Sequence, residues 1–284
     1  MNRRLILVFM MVLGWATAAL SQVTFMREDS LTICRMLRQA KQEKQTSTLY
    51  FARQFIGLPY VAHTLEVNDE EQLVINTREL DCTTYVEMVL ALTLCARQGK
   101  TSFEDFVSTI RSTRYRGGVV NRYPSRIHYF SDWIIQNTSR GVVEELQSPN
   151  PPFTAVQNVR VSYMTEHPQA YKALKEHPEF LSVILEQEQQ LTGKTFRYIP
   201  MKQLKKLNTK LMRQTVKDGD VIAITSSKPG LDIAHLGFAV WKPDGLHLLN
   251  ASSVHKKVEE DPQLFRIYMQ NRSQVTGIRV VRLK

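Results

Sequence analysis

Asp81-Cys82-Thr83-Thr84-Tyr85-Val86-Glu87-Met88-Val89-Leu90-Ala91-Leu92-Thr93-Leu94-Cys95-Ala96 is the stretch from which the rest of the chain is read. A polar tetrapeptide heads a mostly apolar run, and Gly99 suits the C′ position that closes a helix, so residues 82–98 are expected as a buried central helix. A cysteine in its first turn meets the positive end of the helix dipole and unpaired backbone N–H groups. Both favour thiolate over thiol and would make the Cys82 sulfur a nucleophile near neutral pH. Far downstream, His235 opens the alternating stretch His235-Leu236-Gly237-Phe238-Ala239-Val240-Trp241, and Asn250 closes Leu246-His247-Leu248-Leu249-Asn250. A thiol, a base and an amide to orient that base are the parts of a hydrolase that works through an acyl-enzyme.

Upstream of the cysteine, residues 29–56 have the apolar spacing of a helix (Leu31, Cys34, Leu37, Tyr50, Phe51, Phe55), and Gly57-Leu58-Pro59-Tyr60 breaks it. Leu73-Val74-Ile75 is a short apolar run. A further helix is expected from Thr101 or Ser102, with Phe103, Phe106, Val107 and Ile110 on one face, stopped by Gly117-Gly118. His128 to Gln136 reads as another. Pro149-Asn150-Pro151-Pro152 opens a polar stretch, 149–191, read as a helical insertion or lid rather than a second core. Strands follow: Val221 to Thr225 after Asp218-Gly219-Asp220, two flanking the turn Pro243-Asp244-Gly245, and Ile278 to Leu283. Helices first and an antiparallel sheet after make an α+β fold with the cysteine helix packed on the sheet.

The 284 residues allow a single large domain, and no segment is biased enough to be disordered. Asn2-Arg3-Arg4, the apolar segment Leu5 to Ala19 and the small residues around Ala16 to Ser21 read as a secretory signal, residues 1–21, with an uncleaved anchor as the alternative. The expected product is an exported protein, periplasmic or secreted, built from residues 22–284 as one domain and without a membrane anchor. A monomer is expected. The net charge of +10 includes Arg3 and Arg4, which would leave with the signal. The densest basic group, Lys202, Lys205, Lys206, Lys210 and Arg213, is interleaved with leucines as on a solvated helix face. Export argues against nucleic acid and ranks an acidic wall polymer first among partners. Three cysteines are too few for a disulfide scaffold. Cys95 reads as a buried structural thiol, and whether it pairs with Cys34 is open.

Gly57-Leu58-Pro59-Tyr60, Asp81-Cys82-Thr83-Thr84, Gly219-Asp220 and His235-Leu236-Gly237-Phe238 together resemble the NlpC-type, papain-like cell-wall cysteine hydrolases. Longer stretches resemble a branch of N-acetylmuramoyl-L-alanine amidases: Arg114 to Gly118, Ser125 to Trp133, and Leu231 to His235. The resemblance covers roughly residues 50 to 283. It implies a papain-like fold, cleavage of peptidoglycan or muropeptides, and a third catalytic position at Asn250, where His is frequent in the family. It also implies a role for Tyr60 near the nucleophile.

Each candidate also has a plainer reading. Cys82 is otherwise a small buried hydrophobe, and His235 a strand histidine competing with His63, His128, His167, His177, His247 and His255. Only His235 is followed by x-Gly. Asn250 is otherwise a turn former, with His247 the weaker alternative. Arg126, Tyr129, Trp133 and Asp232 are candidates for holding a charged, sugar-bearing substrate, Arg126 by gripping a carboxylate. No metal-ligand spacing and no glycine-rich phosphate loop occurs, so neither a metal nor another cofactor is expected. The readings are ranked as an amidase acting at the muramoyl–L-alanine bond, then a stem-peptide endopeptidase, then an inactive wall-binding module.

Overall fold

The computed structural model describes residues 23–205 and 209–284. The expected signal segment, residues 1–21, and Lys206 of the basic group lie outside the described residues. Strand β1 (Val23–Thr24) runs parallel to β2 (Leu73–Val74) and leads into α1 (Arg27–Gln42) and α2 (Thr48–Arg53). Helices α3 (Cys82–Arg97), α4 (Phe103–Arg114) and α5 (Phe130–Ser139) follow. The 29–56 pattern is thus two helices, because Ser47 caps a fresh start by accepting the Tyr50 N–H at 3.2 Å.

Next come β3 (Val143–Leu146) and β4 (Ala155–Asn158), then the short helices α6 (Tyr163–Glu166) and α7 (Lys172–Glu176), then α8 (Phe180–Leu191). This segment buries a satellite apolar cluster that includes Val159, Met164, Phe180 and Ile184, and its strand β4 joins the edge of the sheet. The chain continues through β5 (Thr195–Pro200), α9 (Met201–Lys205), α10 (Thr209–Thr215), β6 (Val221–Ser226), β7 (Ile233–Lys242), β8 (Gly245–Ser252) and β9 (Lys257–Glu260). It ends with α11 (Phe265–Gln270) and β10 (Val275–Leu283).

The main sheet runs β4-β5-β10-β6-β7-β8-β9, antiparallel throughout, with β3 also paired to β10. Both its faces are covered. Val221, Ala223, Leu236, Phe238 and Leu249 meet the core around α3, while Ile222, Ile224, Ala239 and Leu248 meet Phe265 and Met269 of α11. Burial on both sides explains the unbroken apolar text of β6. Helix α3 is apolar on every face for the same reason: Tyr85, Val86, Met88, Val89 and Leu92 are all buried, and the Tyr85 ring lies edge-on to Phe238 at 5.5 Å. Among the described residues, no helix is long and apolar enough to cross a membrane. The α+β expectation agrees with this mixture of helices and sheet. All three cysteines are free, and Cys95 is buried against the Thr109 hydroxyl at 3.4 Å.

Glu87 is the one carboxylate on α3, and it is 2.6 Å from Arg114 of α4 with both side chains 1% exposed. Burial pushes the Glu87 carboxyl up, and the Arg114 charge opposes that shift. Arg114 also donates to the Val74 carbonyl at 2.7 Å, so one guanidinium ties α4 to α3 and β2. Arg114→Ala is expected to cost about 3–5 kcal/mol in denaturant unfolding, since it strands a buried carboxylate. The double change Arg114→Met with Glu87→Leu should cost far less.

Candidate active site

The polar tetrapeptide before the apolar run is a capping box. The Asp81 carboxylate accepts the Thr84 N–H at 2.8 Å, and the Thr84 hydroxyl accepts the Asp81 N–H at 2.9 Å. Cys82 is thereby the first residue of α3. Strands β7 and β8 pair from Lys242–Gly245 as far as Phe238–Leu249. Gly237 comes next. A Cβ there would lie 2.8 Å from the Leu249 carbonyl oxygen and 2.9 Å from Asn250 Cβ, so only glycine lets Asn250 lie this close to β7. Just beyond the end of the ladder, His235 Nε2 meets Asn250 Oδ1 at 2.8 Å, both residues being buried.

Cys82, Thr83, His235 and Leu236 line a cavity of about 220 Å³. Tyr123, Tyr129, Phe130 and Tyr171 give it aromatic lining, and Glu66, His128, Met164, Leu231 and Asp232 contribute as well. Burial pushes the Cys82 thiol up to about 12, and the Asp81 carboxylate pushes the same way. The Thr83 side chain and the N–H groups of Leu236 and Cys82 oppose them. Burial holds His235 down at about 4, against the Asn250 hydrogen bond and with help from the Arg272 charge. The free site therefore contains a neutral thiol and a neutral imidazole at neutral pH. Burial and the Asp81 charge thus act against the thiolate that a helix N-terminus favours. The carboxylate that caps the helix opposes the helix dipole, and desolvation acts in the same direction as the carboxylate.

Tyr60 reaches this neighbourhood from a bridge with Leu80, and its N–H donates to the Lys256 carbonyl at 3.0 Å. Its hydroxyl is pushed up to about 12 by burial, then by the charges of Cys82 and Asp81. Tyr129 lines the cavity and donates to Glu188 at 2.6 Å. Asp232 lines it too, but its carboxylate accepts the Ser131 N–H at 2.7 Å and so serves the first turn of α5.

Arg126 and Trp133 are not among the residues that line the cavity. The buried Arg126 guanidinium lies 3.4 Å from Glu66, 3.3 Å from Glu71 and over the Tyr123 ring at 4.9 Å, so its charge is already met. Trp133 is in the core, stacked on Phe130 with ring centroids 4.9 Å apart. The alternative base partner, His247, is held at the hairpin end of β8, with Nδ1 at 3.0 Å from the Asp261 carbonyl and Nε2 at 3.1 Å from Asp244. Sequence reading missed Glu66, Tyr123, Met164 and Tyr171. None of them carries a local pattern, and three different segments bring them together. Among the described residues, one group has the composition of a metal site: His255, Glu259 and Asp261, with donor atoms within 4.8 Å of one another. His255 is already hydrogen bonded to Glu259.

Residues 50–278 match the AmiA-like family model, described as N-acetylmuramoyl-L-alanine amidase-like. An N-acetylmuramoyl-L-alanine amidase from Bacteroides uniformis, known from its crystal structure, is 38% identical over 87% of this chain and 99% of its own, with a TM-score of 0.77. A Bacteroides fragilis protein provisionally named a xylanase is 40% identical over 82% of this chain and 99% of its own, with a TM-score of 0.75. A Legionella pneumophila protein at 22% identity, covering 89% of this chain and 96% of its own with a TM-score of 0.66, shares the fold. No curated protein matches the chain.

The titration of the thiol is directly measurable. Alkylation of Cys82 by iodoacetamide, followed on its own tryptic peptide, is expected to climb from about pH 6 to about pH 10 without levelling, because the thiolate fraction is still growing. A plateau by neutral pH would instead reveal a preformed thiolate–imidazolium pair.

Proposed function

The chain belongs to the N-acetylmuramoyl-L-alanine amidase-like family, and from that membership we propose that it is a cysteine amidase cutting between the muramoyl lactyl carbonyl and L-alanine in peptidoglycan or its fragments. The observation that carries this reading is the 2.8 Å bond from His235 to Asn250 beside the cavity that Cys82 lines. Asn250 takes Nε2 and leaves Nδ1 for the thiol. Nδ1 accepts the thiol proton as sulfur attacks the lactyl carbonyl carbon. The tetrahedral oxyanion collapses, the C–N bond breaks, and the imidazolium returns its proton to the leaving amine. Water then gives a proton to His235 as its oxygen attacks the thioester, and that proton passes to the departing sulfur. The Cys82 N–H at the start of α3 and the Tyr60 hydroxyl, protonated at neutral pH, are the donors proposed for the oxyanion.

The same reading makes residues 22–284 one papain-like, NlpC-type hydrolase domain with an insertion around 149–191. Residues 1–21 would be the signal that exports it to the wall, in the periplasm or beyond. The aromatic walls of the cavity suit the apolar faces of an amino sugar. Glycoside hydrolysis, suggested by one neighbour's name, requires two carboxyl groups free to act on a single bond. Here Asp232 serves the first turn of α5 and Glu66 is paired with Arg126, which favours amide chemistry.

Mass spectrometry after incubation with purified muropeptide is expected to show free muramoyl saccharide and a peptide beginning with L-alanine. Products that keep alanine on the sugar would sink the amidase reading in favour of an endopeptidase.

Among variants shown to be folded by circular dichroism, Cys82→Ser and His235→Ala should each lose about 10³-fold or more in turnover. Asn250→Ala should lose roughly 10- to 100-fold, because a loosened imidazole is misplaced for part of the time. Asn250→His should keep most activity. Wild-type rates for Asn250→Ala would remove it from the site.

A further inference from the structure

A second cavity, of about 340 Å³, shares no lining residue with the first. It is bounded by Ser252 at the end of β8 and by Asp261, Tyr268, Asn271 and Arg272. Side chains alternate along a strand, so Ser252 lies on the same face of β8 as Asn250, about 7 Å further on. The cavity thus begins two residues along β8 from the His235–Asn250 pair.

Its polar groups are not used up by the fold. Tyr268 is 5% exposed, yet its hydroxyl has no hydrogen-bond partner among the described residues. The Arg272 guanidinium lies 4.1 Å from the centre of the Tyr268 ring, and among the described residues no carboxylate is within ion-pair distance of it. Asp261 is 2% exposed and accepts the Gln263 N–H at 2.9 Å. One of these groups feels the site: the Arg272 charge helps to hold His235 down.

We propose that this cavity is the subsite for the leaving peptide, with Arg272 holding a free carboxylate of that peptide and the Tyr268 hydroxyl donating a further hydrogen bond to it. The inference rests on the amidase reading above and assigns its substrate specificity. The leaving amine takes its proton from His235, so the peptide attached to that amine extends on the imidazole side of the sulfur, the side on which β8 carries Asn250 and then Ser252. One fixed charge of each sign suits a peptide, which brings carboxylates for Arg272 and N–H groups for Asp261. A saccharide needs neither. The aromatic-walled cavity, where the nearby Arg126 is already paired with carboxylates, is left for the muramoyl side.

The test compares one muropeptide with free peptide carboxylates against the same compound with those carboxylates amidated, reading kcat/KM for saccharide release. Wild type should cut the amidated compound about 10- to 100-fold more slowly. Arg272→Gln should bring the rate on the free acid to within about twofold of its rate on the amide, with Arg272→Lys recovering part of the preference. Tyr268→Phe, which keeps the buried ring, should raise KM for the free acid by about 3- to 10-fold. A wild type that cuts both compounds equally, or an Arg272→Gln variant that loses the same factor on both, overturns the subsite and leaves the amidase reading standing. A wild type that releases saccharide from neither overturns the amidase reading, and the subsite with it.

Discussion

Helix α3 is buried from Thr84 to Thr93 while its first residues, Cys82 and Thr83, are half-buried at a cavity wall, and most of the structure around the site follows from that placement. A helix apolar on all faces can only be an inner helix, so its orphan N–H groups need partners away from water. Asp81 and Thr84 supply them locally. Two residues beyond the last β7–β8 pair, at Phe238, the N–H of Leu236 meets the Cys82 sulfur. The cost of this solution is electrostatic. The carboxylate that completes the helix end stands next to the thiol and, with burial, keeps it protonated. In the proposed mechanism, reactivity then depends on His235 accepting the proton when a carbonyl arrives, which gives the Asn250 contact its proposed role.

A second set of buried charges fixes the walls. Arg114 with Glu87, and Arg126 with Glu66 and Glu71, neutralise each other inside the fold, and Tyr115 donates to Glu71 at 2.7 Å. These pairs hold the segment between Tyr60 and Leu80, which carries both Tyr60 and Glu66, against α3 and α4. On the opposite side of the sheet's start, Gly219 adopts a φ of +81° and packs against Thr48, where a Cβ would come within 3.0 Å. The next residue, Asp220, takes both ends of the Arg282 guanidinium at 2.8 and 2.7 Å, tying the head of β6 to the tail of β10. Buried pairs of this kind add little net stability but are costly to break singly, so they specify one arrangement.

Several elements were legible because their signals are local. The capping tetrapeptide and Gly99 bound α3 almost to the residue. The Pro243-Asp244-Gly245 turn marks the β7–β8 hairpin, and runs buried on both faces mark β6 and β10. Strands β3, β4, β5 and β9 were not seen. They are four to six residues long, and texts such as Ala-Val-Gln-Asn or Lys-Val-Glu-Glu carry little apolar alternation, so pairing partners from elsewhere in the chain make them strands. The candidate substrate-binding residues divide the same way. Tyr129 and Asp232 lie in the cavity wall, whereas Arg126 and Trp133, drawn from the same stretches of text, are consumed by ion pairing and core packing.

The sequence by itself determined the elements that carry the candidate site and their order: an apolar helix begun by a capped cysteine, a hairpin with a histidine near one end and an asparagine near the other, and a glycine two residues after that histidine. Each of these is written within a dozen neighbouring residues, where propensity, capping and alternation act. Only the tertiary structure decided how the two ends of the hairpin meet beyond their ladder, which of the polar side chains remain free, and how far desolvation moves the thiol and the imidazole. Those outcomes depend on what every other segment brings within a few ångströms, and burial by distant residues leaves no mark in the local text.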